Sequence, residues 1–421
     1  MPCRIELRAT CATASLATIR GMALSPGLRA LWDAPPVSDA RAALAAGDAE
    51  TLETQIAVSE IAAPTGEERE RGEWVAARFR ALALTDVRSD ASGNITGTRA
   101  GADDSAPVVI CAHLDTVFPR AVPLRVQREG ARLIGPGIGD NGRGLAAMLA
   151  LAGVIDGAKL RTRAPVVFAA TTGEEGAGDL RGAKELFAGA MSGAAAAIAL
   201  DGAGDERIVH RALGSRRFRI HFRGAGGHSW TAFGVPNAVH AAALTGAMLA
   251  RISLPAVPRT TLSVGRIGGG ISVNAIPDDA WLEIDLRSTS EHALRTYEGE
   301  IRAAAHASLH EENLRGARGA PPLTVAITVI GDRPSGETDS SLPLVSAAME
   351  ATRLIGRDPD LATASTDANV PISRGIPAIA IGAGGRGGEA HTLAEWFENS
   401  AGHLGIVRAL AIVTAVAGLA G

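Results

Sequence analysis

Two histidines and five carboxylates occur in short motifs that suit the chemistry of a metal centre. They are His113 and Asp115 in HLDT, Asp140 in GPGIGDNGRG, Glu174 and Glu175 in TTGEEG, Asp201 in LDGAG and His391 in GGEAHTLAEW. Imidazole nitrogens and carboxylate oxygens are the ligands that zinc and similar divalent ions take. Three carboxylates on two such ions leave about one positive charge, which a hydroxide would cancel. The motifs therefore predict a two-metal site that ionises water near neutral pH.

Two neighbouring pairs indicate a division of roles within this set. In an extended chain the side chains of His113 and Asp115 point the same way, so we expect Asp115 to accept a hydrogen bond from the second imidazole nitrogen. Of the adjacent Glu174 and Glu175, one can bind metal while the other serves as a general base. Each motif alone is also typical of a structural histidine, a solvated loop or a tight turn. The glycine-rich loop lacks the Lys-Ser/Thr pair of a nucleotide-binding loop, and its Asp140 would repel phosphate.

Buried strands are predicted just before these motifs. Four short apolar runs are rich in Val, Ile or Ala, at residues 107–114, 165–172, 195–200 and 376–382. Such runs are typical of buried strands in a largely parallel sheet, and a helical pattern over 142–155 connects the first two. Ligands bind at the carboxyl ends of such strands. The pattern predicts a mixed, largely parallel α/β sheet sandwiched by helices, with the site at one edge.

A second domain is predicted inside the first. Residues 216–224 and 280–288 alternate between apolar and polar side chains, which indicates strands with one wet face, and helical patterns cover 236–252 and 291–310. We therefore divide the chain into a variable lead-in (1–45), a catalytic domain (46–207 and 323–421) and an inserted α+β domain (208–322). A helical pattern from 50 to 84 is broken at 62–68, where Thr65 is expected to cap the second helix.

Composition limits the classes of function. The 421 residues carry 41 Lys and Arg against 45 Asp and Glu, so the net charge of −4 argues against nucleic acid and against an anionic membrane surface as partners. No apolar run reaches the roughly 20 residues that cross a membrane, and arginines interrupt the N-terminal region where a signal peptide would have its apolar core. Three cysteines form no disulfide framework, which favours a reducing, cytoplasmic location.

Taken together, the motifs resemble the di-zinc exopeptidase and amidohydrolase family of glutamate carboxypeptidase, peptidase T, aminoacylase, acetylornithine deacetylase and succinyl-diaminopimelate desuccinylase. The resemblance covers roughly residues 50–415. It implies that His113 and Asp201 hold one zinc, that Glu175 and His391 hold the other, and that Asp140 bridges both ions and has a cis peptide bond to Asn141. It also implies that Glu174 is the general base and that Asp115 orients His113.

The same resemblance implies how substrate binds. In GAGGHSW, His228 would reach the active site of a second subunit and stabilise an oxyanion, which makes the inserted segment a lid and dimerisation domain. Asn274 and Arg287 would hold a substrate carboxylate, although Arg287 also suits a salt bridge on a strand face. Thr366 and Asp367 would line the substrate pocket.

Three functions remain open at this stage. The first is a metallo-exopeptidase on short peptides, of the carboxypeptidase or peptidase T kind, with two ions that are zinc, cobalt or manganese. The second is an N-acyl-amino-acid deacylase or carbamoyl amidase on the same scaffold. The third is a non-catalytic metal-binding scaffold, against which the free carboxylate of Glu174 argues. A nucleophilic role for Cys111 is disfavoured because this residue lies within a predicted core strand.

Overall fold

The computed structural model describes residues 27–420, and we number its elements in chain order. The helices are α1 (Leu28–Trp32), α2 (Pro35–Ala46), α3 (Asp48–Ser59), α4 (Arg69–Ala81), α5 (Gly142–Gly157), α6 (Arg181–Ala188), α7 (Ala238–Leu249), α8 (Glu291–Leu314), α9 (Pro343–Leu354), α10 (Asn369–Ser373) and α11 (His403–Ala417). A short 3₁₀ turn covers Gly176–Gly178.

The strands fall into two domains and a small accessory sheet. They are β1 (Thr85–Ser89), β2 (Ile95–Arg99), β3 (Val108–His113), β4 (Gln127–Glu129), β5 (Arg132–Ile134), β6 (Val166–Thr171), β7 (Ala196–Leu200), β8 (Arg207–Ala212), β9 (Gly214–Arg223), β10 (Gly227–His228), β11 (Thr260–Gly269), β12 (Ala275–Ile276), β13 (Asp279–Ser288), β14 (Thr324–Arg333), β15 (Gly336–Glu337), β16 (Asp360–Ala364), β17 (Ala378–Ile381), β18 (Arg386–Gly388) and β19 (Trp396–Glu398).

A nine-stranded sheet within residues 27–420 forms the larger domain. Its order is β1-β2-β6-β3-β7-β17-β8-β15, with β16 also paired to β8. The central pairs β6–β3, β3–β7 and β7–β17 are parallel, whereas β2 joins the sheet antiparallel. These central strands are the four apolar runs of the sequence, so the predicted largely parallel α/β sheet is confirmed.

Helices cover both faces of this sheet because its strands are apolar on both sides. Val108 and Ile110 of β3 pack into one core with α1 to α5, α9 and α11. Val109 and Cys111 point the other way, into a smaller core with α6 and α10. Cys111 is thus a buried core side chain. No helix among the described residues is both long enough and apolar enough to cross a membrane.

The inserted domain is a four-stranded antiparallel sheet in the order β11-β13-β9-β14. Phe218, Ile220 and Phe222 of β9 are fully buried against α7 and α8, as the alternating pattern predicts. The predicted boundaries of this domain (208–322) each lie one strand too early in the sequence. β8 belongs to the large sheet, and β14 belongs to the inserted sheet, so the inserted domain runs from 214 to 333. The pairing of a strand with distant segments decides which sheet it joins, and local sequence patterns do not encode that pairing.

Two local predictions at the N-terminal side also differ from the structure. The lead-in of 1–45 was expected to be separate from the catalytic domain, yet α1 and α2 bury Leu31, Val37 and Leu44 in the main core; residues 1–26 lie outside the described part. Thr65 does not cap a helix, because α4 begins at Arg69. Its hydroxyl instead donates to Asp115 Oδ2 at 2.8 Å.

A buried arginine supports the segment that leads from β3 into the site. The Arg71 side chain is wholly buried on α4, where Nη1 donates to the carbonyl oxygen of Leu114 at 2.7 Å and Nε donates to that of Ile61 at 3.0 Å. Burial lowers the pKa of Arg71 to about 10, and the charge of Asp115 opposes this change. The guanidinium therefore stays charged at neutral pH and satisfies carbonyl groups that the chain could not pair otherwise.

We predict that Arg71→Met destabilises the protein by about 3 kcal/mol, because buried carbonyl oxygens lose their charged donor. Arg69→Met is the matched control: this side chain is 89% exposed on the same helix, in an ion pair with Glu73 that is worth at most about 0.5 kcal/mol. Thermal and urea unfolding would measure both variants. Equal shifts in the two would contradict the role of Arg71.

Candidate metal centre

The carboxyl ends of the central strands bring the predicted metal ligands together. His113 is the last residue of β3, Asp201 directly follows β7, and Glu174 and Glu175 follow β6 after a short turn. Because β6, β3 and β7 are adjacent and parallel, their ends meet at one edge of the sheet. The loop after β17 and β18 brings His391 to the same edge, where it lines a cavity with Asp140, Glu175 and Asp201.

Asp140 lies between the two histidines. Its Oδ1 is 3.0 Å from His113 Nε2, and its Oδ2 is 3.2 Å from His391 Nε2. His391 Nε2 is also 2.8 Å from Glu175 Oε1, and His113 Nε2 is 4.0 Å from Asp201 Oδ1. The peptide bond from Asp140 to Asn141 is cis. This arrangement presents one carboxylate oxygen to each half of the site.

Charge is crowded at this edge of the sheet. Burial and the charge of Asp140 raise the pKa of Asp201 to about 7. The hydrogen bond to Asp140 raises the pKa of His391 to about 9, although partial burial opposes the change. The carboxylates repel one another, and protonated histidines offset that repulsion.

The donor set fits two divalent cations. Three groups of ligand atoms each lie within 4.8 Å: His113 with Asp140 and Asp201, Asp140 with Glu175 and His391, and His113 with Glu174 and Glu175. The first two groups share only Asp140, so one carboxylate can serve two ions. Nitrogen and oxygen donors in this number are typical of zinc and similar ions, and the cations would relieve the repulsion among the carboxylates.

Glu174 is buried and faces an arginine from the inserted domain. Arg333 Nη1 is 3.3 Å from Glu174 Oε1 and 3.2 Å from Ser365 Oγ, and its Nη2 donates to the backbone oxygen of Glu174. Burial raises the pKa of Glu174 well above its usual range, while His113 and Arg333 oppose the change. Such a carboxyl group is suited to accept a proton and to return it.

Asp115 organises the site in a way that differs from the prediction. His113 Nδ1 is 3.0 Å from the backbone oxygen of Asp115 and 3.6 Å from its Oδ1, so the carbonyl rather than the carboxylate is the nearer acceptor. The carboxylate accepts the backbone N–H groups of Glu174 and Glu175, both at 2.9 Å. Asp115 therefore fixes the turn that carries both glutamates.

Asn141 links the Asp140 loop to the strand that carries Asp201. Its Nδ2 donates to the carbonyl oxygen of Leu200 at 2.9 Å, while its Oδ1 accepts the N–H groups of Gly144 and Gly202, both at 3.1 Å. The bond to Gly144 also caps α5. This amide therefore sets the spacing between Asp140 and Asp201.

The predicted substrate residues divide into two groups. Arg287 and Thr366 line the cavity together with the metal-centre carboxylates. Asp367 is buried outside the described cavity lining, where its Oδ2 accepts a hydrogen bond from Thr171. His228 and Asn274 are exposed on the inserted domain, and neither belongs to the described lining. The backbone N–H of Ser229 donates to the backbone carbonyl oxygen of Asn274 at 3.0 Å.

Three residues that the sequence analysis did not single out contribute to this site. They are Arg217 and Arg333, which line the cavity, and Glu395, which is buried beside it. Glu395 lies within the GGEAHTLAEW motif, so its position next to a site histidine was visible in the sequence. The two arginines come from strands of the inserted domain, and no local pattern shows which end of those strands meets the catalytic domain.

Glu395 holds the loop that carries Asp140. Its Oε1 accepts the backbone N–H groups of Gly139 and Asp140, both at 2.8 Å, and its Oε2 accepts that of Gly137 at 2.9 Å. An amide in place of the carboxylate would point an N–H group at a backbone donor.

We predict that Glu395→Gln lowers metal affinity about 10- to 100-fold, because the support of Asp140 is lost. Glu398→Gln, three residues along the same segment and paired with Arg132 outside the loop, is the matched control. Metal content after dialysis against graded chelator concentrations gives the measurement. Unchanged retention in Glu395→Gln would show that the loop does not depend on this carboxylate.

Comparison with known proteins gives the family. Residues 109–415 match the model of peptidase family M20/M25/M40. The uncharacterized protein YqjE of Bacillus subtilis (strain 168) is 26% identical over 311 residues, which are 71% of this chain and 78% of that protein.

Solved structures share the fold. A tripeptidase from Staphylococcus aureus superposes with a TM-score of 0.72 at 24% identity and covers 87% of this chain and 98% of its own. YxeP of Bacillus subtilis, described as a dinuclear metal-binding peptidase from the M20 family, gives a TM-score of 0.64 at 17% identity over 88% and 98% of the two chains. Because the family match spans well over half of the sequence, this protein belongs to peptidase family M20/M25/M40 and is a metal-dependent hydrolase of that family.

Proposed function

We propose that the protein is an exopeptidase that acts on short peptides and recognises the free carboxylate of its substrate. The observation that carries this proposal is that Arg287 lines the same cavity as Glu174 and four of the five metal-ligand candidates, Asp140, Glu175, Asp201 and His391. A peptide's free amino group would need an acidic partner, whereas the carboxylates of this cavity are engaged with the metal centre or with Arg333. Membership in a peptidase family and the tripeptidase-like fold support peptides over N-acyl amino acids.

In this proposal His113 and Asp201 hold one cation, Glu175 and His391 hold the other, and Asp140 serves both. When bound, the cations polarise the scissile carbonyl and make water more acidic. Glu174 takes a proton from the attacking water and returns it to the leaving amine. Its carboxylate lies within 4.8 Å of ligand atoms of His113 and Glu175, yet it belongs to neither Asp140-centred group. Arg287 orients the substrate through its carboxylate.

The distances among these side chains support the assignment of ligands. Zinc, cobalt and manganese all accept nitrogen and oxygen donors of this kind. We propose zinc as the resident ion. A reducing, cytoplasmic location likewise remains a prediction from the small number of cysteines.

The first prediction concerns Glu174. Glu174→Ala should retain both metal ions and lose about a thousandfold in kcat, because the proton acceptor is gone while the ligands remain. The measurement is amine release together with metal content. Glu185→Ala, on the exposed surface of α6, is the matched control. Near-normal turnover by Glu174→Ala would remove it from this role.

The substrate panel should pair di- and tripeptides that have free amino groups with N-acetyl, N-succinyl and N-carbamoyl amino acids. We expect cleavage of the free peptides. Turnover of the blocked amino acids alone would replace the exopeptidase proposal with an N-acyl-amino-acid deacylase or carbamoyl amidase.

We also propose that the protein acts as a homodimer in which the partner subunit's His228 completes the site. In one chain, His228 is exposed on β10, beside β12 and outside the described cavity lining. Four large apolar side chains on the flanking loops are exposed by 85% to 103%: Trp230, Phe233, Ile271 and Val273. Exposed apolar groups of this size next to a polar site residue are typical of an interaction surface.

Complementation tests the dimer. His228→Ala and Glu174→Ala should each be inactive alone. Their mixture should recover about a quarter of wild-type activity, because half of randomly mixed dimers carry one intact site each. Mixing His228→Ala with the double variant His228→Ala/Glu174→Ala is the control and should recover none. Mixed dimers verified by mass that stay inactive would contradict a histidine acting across subunits.

A further inference from the structure

The cavity holds more positive charge than the metal centre and its base require. Its volume is about 540 Å³, and four arginines line it: Arg207, Arg217, Arg287 and Arg333. Of the lining carboxylates, three belong to the ligand set and the fourth, Glu174, is 3.3 Å from Arg333. The other three guanidinium groups therefore have no carboxylate partner within the cavity lining.

One carboxylate outside the cavity lining holds two of these arginines in place. Asp285 Oδ1 is 3.1 Å from Arg217 Nε, and Asp285 Oδ2 is 2.6 Å from Arg287 Nε. Because both contacts use Nε, the terminal nitrogens of both guanidinium groups can still donate to a ligand. Arg217 Nη1 also donates to the carbonyl oxygen of Gly176 at 3.0 Å, which fixes the group beside the turn that carries Glu175.

The strand register explains why these three side chains meet. Arg217 of β9 is directly paired with Asp285 of β13, and Arg287 lies two residues further along β13. Residues two apart on a strand share one face of the sheet, so the two arginines lie on either side of the same aspartate. One carboxylate balances one of the two positive charges, and the other stays uncompensated. Arg207, at the start of β8, adds a third cation to the cavity wall.

A similar cluster around Glu283, two residues from Asp285 on β13, lies outside the described cavity lining. Arg219, two residues along β9, pairs with Glu283 at 2.9 Å, and Glu283 also accepts from Arg266 at 2.9 Å. Neither arginine of that cluster belongs to the described cavity lining. Asp285 and Glu283 each contact two arginines, but only the two arginines on Asp285 line the cavity.

We propose that Arg217, held by Asp285 beside Arg287, forms a subsite for a second carboxylate, so that the preferred substrate carries Asp or Glu at the residue whose α-carboxylate Arg287 binds. This inference rests on the proposed function and narrows it to acidic residues. Two arginines side by side can accept an α-carboxylate and a side-chain carboxylate at once, each through charge-assisted hydrogen bonds. A neutral amide in the side chain would leave one guanidinium without its anion.

The test compares acid and amide substrates that have the same shape: Ala-Glu with Ala-Gln, and N-acetyl-Glu with N-acetyl-Gln. For wild type we expect the ratio of kcat/KM between acid and amide to be about tenfold or more. Arg217→Gln should lower this ratio about tenfold, whereas Arg219→Gln, the matched control in the cluster around Glu283, should keep it. Arg217→Lys keeps the charge without the planar fork and should retain part of the ratio.

Binding of free amino acids provides a second measurement that does not depend on turnover. In calorimetry, the Glu174→Ala protein should bind glutamate more tightly than it binds glutamine. The double variant Glu174→Ala/Arg217→Gln should lose most of that difference in affinity. The unfolding midpoint of each variant distinguishes loss of the subsite from loss of the fold. If Arg217→Gln does not fold, Arg217→Lys replaces it in both measurements.

The outcomes are distinguishable. Cleavage of acid and amide substrates at equal rates would overturn the acidic subsite and leave the exopeptidase proposal in place. An acid preference that survives in Arg217→Gln would also overturn the subsite. Failure of the metal-loaded protein to cleave any of the four substrates or the wider peptide panel would instead contradict the proposed function itself.

Discussion

The carboxylate of Asp140 contacts both His113 and His391, which are far apart in the sequence and come from the two chain segments of the catalytic domain. The surrounding structure must hold these three side chains, and the charged groups next to them, in position. Four carboxylates and two imidazoles crowd one edge of the sheet, and without firm support their mutual repulsion would spread them apart. Burial, together with the charge of Asp140, raises the pKa of Asp201 to about 7. The fold must therefore hold each group by bonds that do not involve the site's own charges.

Backbone hydrogen bonds supply that support. Asp115 binds the N–H groups of the Glu174–Glu175 turn, and Glu395 binds three N–H groups of the Asp140 loop. Beneath them, Arg71 holds the carbonyl oxygen that precedes Asp115. Charged side chains act here as local supports for the main chain, and their buried positions make each contact strong. The metal-ligand candidates are thus held in place by neighbours that lie outside the described cavity lining.

The inserted domain contributes charge of the opposite sign. Its strands deliver Arg217, Arg287 and Arg333 to the cavity, and Arg333 and Arg217 each bond to the turn that carries the two glutamates. The domain is thus joined to the catalytic turn by hydrogen bonds as well as by the two chain crossings near 213 and 335. Bound metal ions would neutralise the carboxylates of the centre, and the arginines would then leave this wall cationic, which is the basis of the proposed preference for acidic substrates.

The sequence by itself determined the largely parallel sheet, the inserted domain and the positions of the metal-ligand candidates. Short continuous apolar runs before His113, Glu174 and Asp201 are typical of buried strands in such a sheet, and parallel strands bring their carboxyl ends to one edge. Only the tertiary structure decided that β8 belongs to the catalytic domain and β14 to the inserted domain, because pairing with distant strands determines the sheet. It also buried Asp367 outside the described cavity lining and placed Arg217 and Arg287 on the same aspartate. Those outcomes depend on register and on contacts between distant segments, which local sequence patterns do not encode.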